Sequence, residues 1–176
     1  MSTINSFIRE FKGGARPNLF EVGLEFPAGA SNSLAKAKAK FLVKGASLPA
    51  SVINPIEVPF RGRKFKVAGD RTYENWTITV INDHDFEIRK AMENWMGYIN
   101  RATSNTTGST SSAYTADLSV TQLSREGSES NPTKLANYSF VGAFPVNISA
   151  IELNFETNDT VEEFTIEFAY QYWGKT

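Results

Sequence analysis

The chain has one histidine, His84, and it stands between Asp83 and Asp85. A histidine beside carboxylates offers the side chains of a metal site or of an acid–base pair. Three consecutive residues of one turn cannot easily converge on a single ion, whereas the same residues are typical of a polar turn that starts a helix. We therefore interpret this segment as a helix start. The chain has no cysteine, and neither a G-x-S-x-G nucleophile motif nor a glycine-rich phosphate loop occurs.

Two other sets of charged residues have types that could support chemistry or binding. The C-terminal third carries a set of acidic residues that could supply the carboxylate pair of a glycosidase, although such residues usually lie on a solvated strand face: Glu152, Glu156, Asp159, Glu162, Glu163 and Glu167. The run Phe60 to Lys66 mixes basic and aromatic residues, as single-strand nucleic-acid binders do. A charged strand or arm at a subunit boundary explains that run equally well. The sequence therefore predicts a protein that is not an enzyme and has no cofactor or metal.

Length and charge indicate a single globular domain with an uneven charge distribution. The 176 residues are 41% hydrophobic, which suits one domain with a real core. The N-terminal residues lack the apolar stretch of a signal peptide, and no apolar run is long enough for a membrane span. Residues 34–71 carry nine basic and two acidic groups, whereas residues 72–176 carry six basic and fourteen acidic groups. Either folding mixes these charges in space, or a basic face of one copy meets an acidic face of the next.

Alternation of apolar and polar residues predicts a mainly β fold. The segments with this period of two are 19–26, 36–41, 52–60, 76–81, 118–123, 138–144, 148–155 and 163–172. Pro55 and Pro59 lack the backbone donor of a central strand, so 52–60 is expected to be an edge strand or an arm. Apolar residues at helical spacing predict one helix over about 85–100, and polar, glycine-containing segments predict loops at 103–113 and 125–134. We expect a β-sandwich or partial barrel of two packed antiparallel sheets with one flanking helix.

Three longer stretches carry a family resemblance. They are residues 48–71 with VPFRGRKFKVAGDR, residues 76–96 with WTITVIND and ENWM, and residues 140–173 from FVGAFP to YQYW. Over about residues 15–173 the chain resembles the tail tube proteins of T4-like contractile-tailed bacteriophages. Such proteins form hexameric rings that stack into a hollow tube inside a contractile sheath, and each subunit lends strands to a β-barrel that lines the lumen.

The resemblance implies a structural virion protein and a set of partners. The partners would be further copies of the chain, the tail sheath, baseplate tube-initiator proteins, the tape-measure protein and the tail terminator. Double-stranded DNA would pass without specific binding during ejection, and the protein would insert into no membrane. The location would be the tail tube of the virion, assembled in the host cytoplasm. The chain would be one tail-tube domain, residues 1–176, with a flexible N-terminus at 1–15, a stacking arm at 44–71 and a polar loop at 103–113.

Two groups of residues are candidates for assembly and passage. The inter-ring or inter-subunit contacts are expected at Arg61, Arg63, Lys64, Lys66 and Arg71. Glu163, Thr165 and Glu167 share one strand face and are expected to face the lumen, where acidic groups would repel DNA phosphates. The alternatives are an inner-tube subunit of a phage-derived contractile injection system, and a β-sandwich module that binds carbohydrate or nucleic acid.

Overall fold

The computed structural model describes residues 3–11, 14–107, 110–128 and 131–175, with the backbone alone at 127, 128 and 131. The predicted N-terminal segment 1–15 and loop 103–113 therefore fall partly outside the described residues. The helices are α1 (Ile4–Phe11), a 3-10 turn (Ala28–Ala30), α2 (Ser33–Leu42), α3 (Glu87–Ile99) and α4 (Ser111–Tyr114). The strands are β1 (Phe20–Gly23), β2 (Val43–Ala46), β3 (Val52–Phe60), β4 (Arg63–Thr72), β5 (Trp76–Ile81), β6 (Ala116–Ser128), β7 (Asn131–Ile148), β8 (Glu163–Ala169) and β9 (Tyr172–Lys175).

Two antiparallel sheets share the long strand β7. Its first part pairs with β6 and β9, and β6 also pairs with β1. From Phe144 onward β7 pairs with β8, and the order continues through β5 to β2. The change of partner follows Gly142, which has a φ of +63° and whose N–H donates to Asp117 Oδ1 over 3.0 Å. A glycine suits this position because positive φ is unfavourable for residues with a Cβ.

The core lies between the two sheets. Trp76 on β5 stacks on Phe140 of β7 with ring centroids 4.2 Å apart, and both side chains are buried. Alternate residues of β5 and β8 also point into this core, as their period of two predicts: Ile78, Val80, Phe164, Ile166 and Phe168. The predicted fold class, mainly β with two packed antiparallel sheets, is confirmed.

Helix α3 confirms the predicted helix at 85–100. Its buried residues are Ile88, Ala91, Met92 and Trp95, which recur at helical spacing. Asp83 precedes the helix and its Oδ1 accepts a hydrogen bond from the N–H of Glu87 over 3.1 Å. The aspartate thereby satisfies one of the free N–H groups at the helix start.

The predicted strand at 36–41 is wrong, because this segment belongs to helix α2. Alternating alanine and lysine imitate the period of two, but both residue types are strong helix formers. Asn32 caps the helix by accepting a hydrogen bond from the N–H of Ala35 over 3.0 Å. Ala35 and Ala39, four residues apart, form the buried face. The single flanking helix of the prediction is therefore joined by α2, and also by α1 and α4, which were not predicted.

Three further expectations need correction. The predicted strand at 148–155 is wrong, since β7 ends at Ile148 and the following segment is a loop in which Phe155 is fully exposed. The predicted loop at 125–134 is wrong for its described part, where β6 continues to Ser128 and β7 begins at Asn131. The last strand, predicted as 163–172, breaks after Ala169, and β9 begins at Tyr172.

Within the described ranges, no helix combines the length and the apolar character that a membrane span requires.

Candidate assembly surfaces

Strands β3 and β4 form a hairpin that stands apart from the two sheets. They pair from Val52↔Thr72 to Phe60↔Arg63 with one register shift between Ile53 and Pro55, and in the described chain they constitute a separate two-stranded sheet. The two residues at its tip, Arg61 and Gly62, have φ values of +44° and +80°. Positive φ at both central positions is the requirement of a type I′ turn, whose twist matches that of the flanking strands.

The hairpin leaves large apolar side chains in solvent. Every residue of β3 is exposed, and so is every residue of β4 except Gly69. The exposed apolar side chains are Val52, Ile53, Ile56, Val58, Phe60, Phe65 and Val67. An isolated two-stranded ribbon is marginally stable, and a contiguous exposed apolar patch marks an interaction site. The hairpin is therefore a candidate interaction surface.

The hairpin also carries the five predicted contact residues, which the fold brings together on one ribbon. They are Arg61, Arg63, Lys64, Lys66 and Arg71, all exposed. Glu57 lies across the ribbon and pairs with Lys64, whose Nζ is 2.7 Å from Glu57 Oε2. The guanidinium of Arg61 lies 5.4 Å from the centre of the Phe60 ring. With Glu57 and Asp70 as its acidic residues, the hairpin keeps a net charge of +3, five basic minus two acidic.

The remaining basic residues of segment 34–71 are paired within the subunit. Lys36, Lys38, Lys40 and Lys44 all contact acidic residues from other parts of the chain, and the pairs are Lys36–Glu25 (2.5 Å), Lys40–Glu21 (2.9 Å), Lys44–Glu163 (2.6 Å) and Lys38 with Asp83 and Asp85. Folding therefore mixes the charges of this part in space. Within segment 34–71, the excess of positive charge is therefore confined to the hairpin.

The Asp83-His84-Asp85 segment is the polar turn that precedes α3, as interpreted from the sequence. Lys38 of α2 binds both aspartates, with its Nζ 2.9 Å from Asp85 Oδ2. Hydrogen bonds to Asp83 and then Asp85 raise the pKa of Lys38 above its usual range, and the hydrogen bond from Lys38 lowers the pKa of Asp85. Among the described residues, no group of three or more potential ligands is arranged for a metal ion. The segment joins two helices by ion pairing.

The three predicted lumen residues do share one face of β8. Glu163, Thr165 and Glu167 alternate with the buried Phe164, Ile166 and Phe168. Their partners on β5 are Ile81, Thr79 and Thr77. The Glu163 carboxylate pairs with Lys44, and Glu167 Oε1 accepts a hydrogen bond from Asn75 Nδ2 over 2.8 Å. This outer sheet face is therefore rich in hydroxyl groups, and its carboxylates are partly compensated.

An acidic groove follows β7, and the sequence analysis did not anticipate it. The loop between β7 and β8 borders an open groove of about 520 Å³ with a mixed lining, whose apolar members are Ile151, Leu153, Phe155 and Val161. Glu152, Glu162 and Glu163 of the predicted acidic set line the same groove. Leu153 and Phe155 are 82% and 102% exposed, so the groove presents apolar side chains to solvent.

Helix α1 is the second surface that the sequence analysis missed. Ile4, Phe7, Ile8 and Phe11 form one stripe, all are more than half exposed, and no residue of the helix is buried. Their spacing of i, i+3, i+4 and i+7 is the signal of an amphipathic helix and could have been read from the sequence.

The fold defines the class of protein to which these surfaces belong. A chain of the six-fold symmetrised cryo-EM structure of the anti-feeding prophage baseplate has the same fold, with a TM-score of 0.66, 14% identity, and coverage of 100% of this chain and 97% of that one. A chain of the extended sheath–tube complex of the extracellular contractile injection system PVC matches with a TM-score of 0.60, 16% identity, and coverage of 99% of both. The fold is thus one that occurs in contractile injection machines.

Sequence comparison then identifies the family. The family model described as phage tail tube protein matches residues 15–176, and the chain belongs to that family. Tail tube protein gp19 of Enterobacteria phage T4 is 29% identical over 172 residues, which are 97% of this chain and 98% of the relative. The tail tube protein of Serratia phage KSP90 is 28% identical over 173 residues, 97% of this chain and 95% of the relative. The resemblance found in the sequence is confirmed.

Proposed function

We propose that the chain is the subunit of the inner tube of a contractile bacteriophage tail, and that it acts as a structural component rather than an enzyme. The observation that carries this proposal is the family match over residues 15–176. Six copies form a ring and rings stack into a hollow tube, through which DNA passes during ejection. The six-fold symmetrised assembly among the structures of similar fold supports the number of copies.

The β3–β4 hairpin is the stacking arm in this proposal. Its exposed apolar residues and its net charge of +3 suit a contact that buries one side of the ribbon and places the basic side against an acidic surface. Acidic surface is available on the same chain, because residues 72–176 carry fourteen acidic and six basic groups. Such a contact joins two different surfaces and therefore builds open stacks.

The outer face of the sheet β7-β8-β5-β2 lines the lumen in this proposal. Glu163, Thr165 and Glu167 lie on it beside Thr77 and Thr79. DNA binding by proteins depends on lysine and arginine neutralising phosphates. This face carries threonines and carboxylates, and its described cation, Lys44, is paired with Glu163. It therefore offers DNA phosphates little positive charge to bind. DNA would thus slide through without adhering.

The partners follow from the tube's place in the machine. Structures of similar fold are described as a sheath–tube complex, a baseplate and a tube-terminating cap. We infer corresponding contacts with a tail sheath, baseplate initiators and a tail terminator, and we assign the lumen to the tape-measure protein before DNA enters. The same similarities favour, as the second candidate, the inner tube of a contractile injection system. Neighbouring capsid and DNA-packaging genes would identify a phage tail, and their absence an injection system.

Replacement of the hairpin tests self-assembly through the arm. Residues 52–72 are exchanged for a short Gly-Ser linker, which leaves both sheets and their core in place. The full chain should form hollow tubes that sediment, whereas the variant should remain folded and stay in the supernatant. A full chain that stays monomeric and binds an oligosaccharide or a nucleic acid would instead support the β-sandwich binding module. Tubes formed by the variant would refute the role of the hairpin.

A further inference from the structure

Helix α1 presents an apolar stripe that its own subunit does not cover. Ile4, Phe7, Ile8 and Phe11 are 71%, 59%, 61% and 55% exposed. Phe7 and Phe11 stack with ring centroids 5.4 Å apart, so the stripe is continuous over the last turn. At a rise of about 1.5 Å per residue the stripe is about 10 Å long. An amphipathic helix of this kind is recognised by grooves that accept residues at i, i+3, i+4 and i+7.

The groove between β7 and β8 offers the complementary surface. Its volume of about 520 Å³ is in the range of ordinary binding pockets, and its apolar residues include Leu153, Phe155 and Val161. Val161 is 67% exposed and the other two are more exposed still. The helix stripe is apolar, the groove combines apolar with acidic residues, and the apolar residues of both are uncovered.

Their charges are opposite. Residues 149–163 carry five acidic groups and no basic group, while residues 3–18 carry three basic groups and one acidic group. Opposite charges around an apolar contact steer the partners together and fix their orientation. The hairpin is also basic and apolar, but it is a two-stranded ribbon, whereas the helix presents a single compact stripe. Charge and shape together favour the helix as the occupant of the groove.

The chain connects the helix and the groove to opposite ends of β7. Helix α1 leads into β1, where Phe20 lies opposite Gln122, and Gln122 lies opposite Ala136 near the start of β7. The groove follows Ile148, the last residue of β7. The twelve residues from Ala136 to Ile148 have a contour length of about 40 Å, along which β7 passes from one sheet into the other after Gly142. The chain from Phe11 to Leu19 extends to at most about 28 Å. This connectivity is compatible with a head-to-tail contact between two copies, which the cross-linking experiment below distinguishes from a contact within one subunit.

We propose that helix α1 of one subunit inserts its apolar stripe into the groove between β7 and β8 of an adjacent subunit. This proposal rests on the self-assembly proposed above and adds a second contact that does not involve the hairpin. The N-terminal segment then acts as a clasp between copies. Its insertion covers the apolar residues of both surfaces and places basic residues beside the acidic loop.

Cysteine cross-linking tests the contact, since the chain has no cysteine of its own. Phe7→Cys and Phe155→Cys proteins are mixed, allowed to assemble and oxidised, so that a disulfide between these positions must join two copies. We expect about fivefold or more disulfide-linked dimer than in the control mixture, because a disulfide requires Cα atoms within about 7 Å. The control pairs Phe155→Cys with Ser6→Cys, which lies on the opposite face of the helix. Ile8→Cys mixed with Leu153→Cys provides a second pair.

Electron microscopy of the same samples separates the two proposals. If tubes form but neither cysteine pair gives excess disulfide-linked dimer, the clasp is overturned and the proposed tube function is unaffected. If neither tubes nor disulfide-linked dimer form, both proposals are overturned. A mixture of Phe60→Cys and Phe155→Cys that cross-links efficiently, while the helix pairs do not, would assign the groove to the hairpin and overturn the clasp. A double variant, Phe7→Cys with Phe155→Cys, that yields only internally linked monomer would also overturn it.

Discussion

Charge reversal at the hairpin tip should weaken ring stacking without harming the fold. The change is Arg61→Glu, Arg63→Glu and Lys64→Glu, which turns the hairpin charge from +3, five basic minus two acidic, to −3, two basic minus five acidic. All three side chains are exposed, and β3 and β4 pair with each other outside the two main sheets. The melting temperature of the dissociated subunit should therefore stay close to that of the unchanged protein.

The expected size of the effect follows from the number of contacts. A pair of exposed charges contributes about 0.2–1 kcal/mol, so three lost contacts amount to about 0.6–3 kcal/mol per subunit. Lys64 already pairs with Glu57, so its share of the stacking contact is the smallest. Because each 1.4 kcal/mol changes the affinity tenfold, the protein concentration needed for assembly should rise by about 3- to 140-fold. The effect should shrink as salt is added, because the screening length is about 10 Å at 0.1 M.

Sedimentation across a concentration series measures this threshold at low and at high salt. The matched control replaces the same three residues by glutamine, which removes the charge without reversing it and should give an intermediate threshold. If the reversed variant forms tubes at the same concentration as the unchanged protein, the hairpin charges make no stacking contact and the reasoning fails.

Three further predictions concern the subunit itself. Replacing Lys38 by glutamine should raise the pKa of Asp85 toward its ordinary 3.8 in an NMR titration, and an unchanged pKa would contradict the ion pair. Because the pKa of Asp85 is lowered in the folded protein, the ion pair stabilises the fold above pH 3.8, and this stabilisation is lost as the pH falls through the pKa of the folded state. Gly142→Ala should lower the free energy of unfolding, measured by urea denaturation, by about 1–2 kcal/mol because Gly142 has a positive φ. The control Gly97→Ala, in an exposed helix position, should raise it by about 0.5–1 kcal/mol. Equal effects of the two substitutions would refute the conformational argument. Phe140→Ala should cost about 3–5 kcal/mol of unfolding free energy, and a loss below about 1 kcal/mol would show that the two sheets do not pack through this ring.

The sequence predicted those elements in which one physical signal dominates. The strands β5 and β8 have a clean period of two because one face is core and the other is polar, and α3 has a full apolar stripe. The segment 36–41 misled because alternating alanine and lysine satisfy the strand pattern, while the cap at Asn32 and the spacing of Ala35 and Ala39 determine a helix. The segment 148–155 misled because its apolar residues alternate without being buried.

The assembly surfaces were predicted unevenly for a related reason. The hairpin residues and the shared face of Glu163, Thr165 and Glu167 were read from local spacing, which the strands preserve. The charge split was not predictable in detail, because only the fold shows that Lys44 reaches Glu163, far along the chain. The acidic groove required knowledge that the loop after β7 leaves apolar residues uncovered, and local sequence pattern carries no such information.

A cryo-EM map of the assembled protein tests the central claim most directly. The tube proposal predicts six-fold rings stacked into a hollow tube, with Glu163, Thr165 and Glu167 of β8 facing the bore and the β3–β4 hairpin contacting the next ring. A protein that remains monomeric at high concentration, or a tube in which that face of β8 lies on the outer surface, would contradict it.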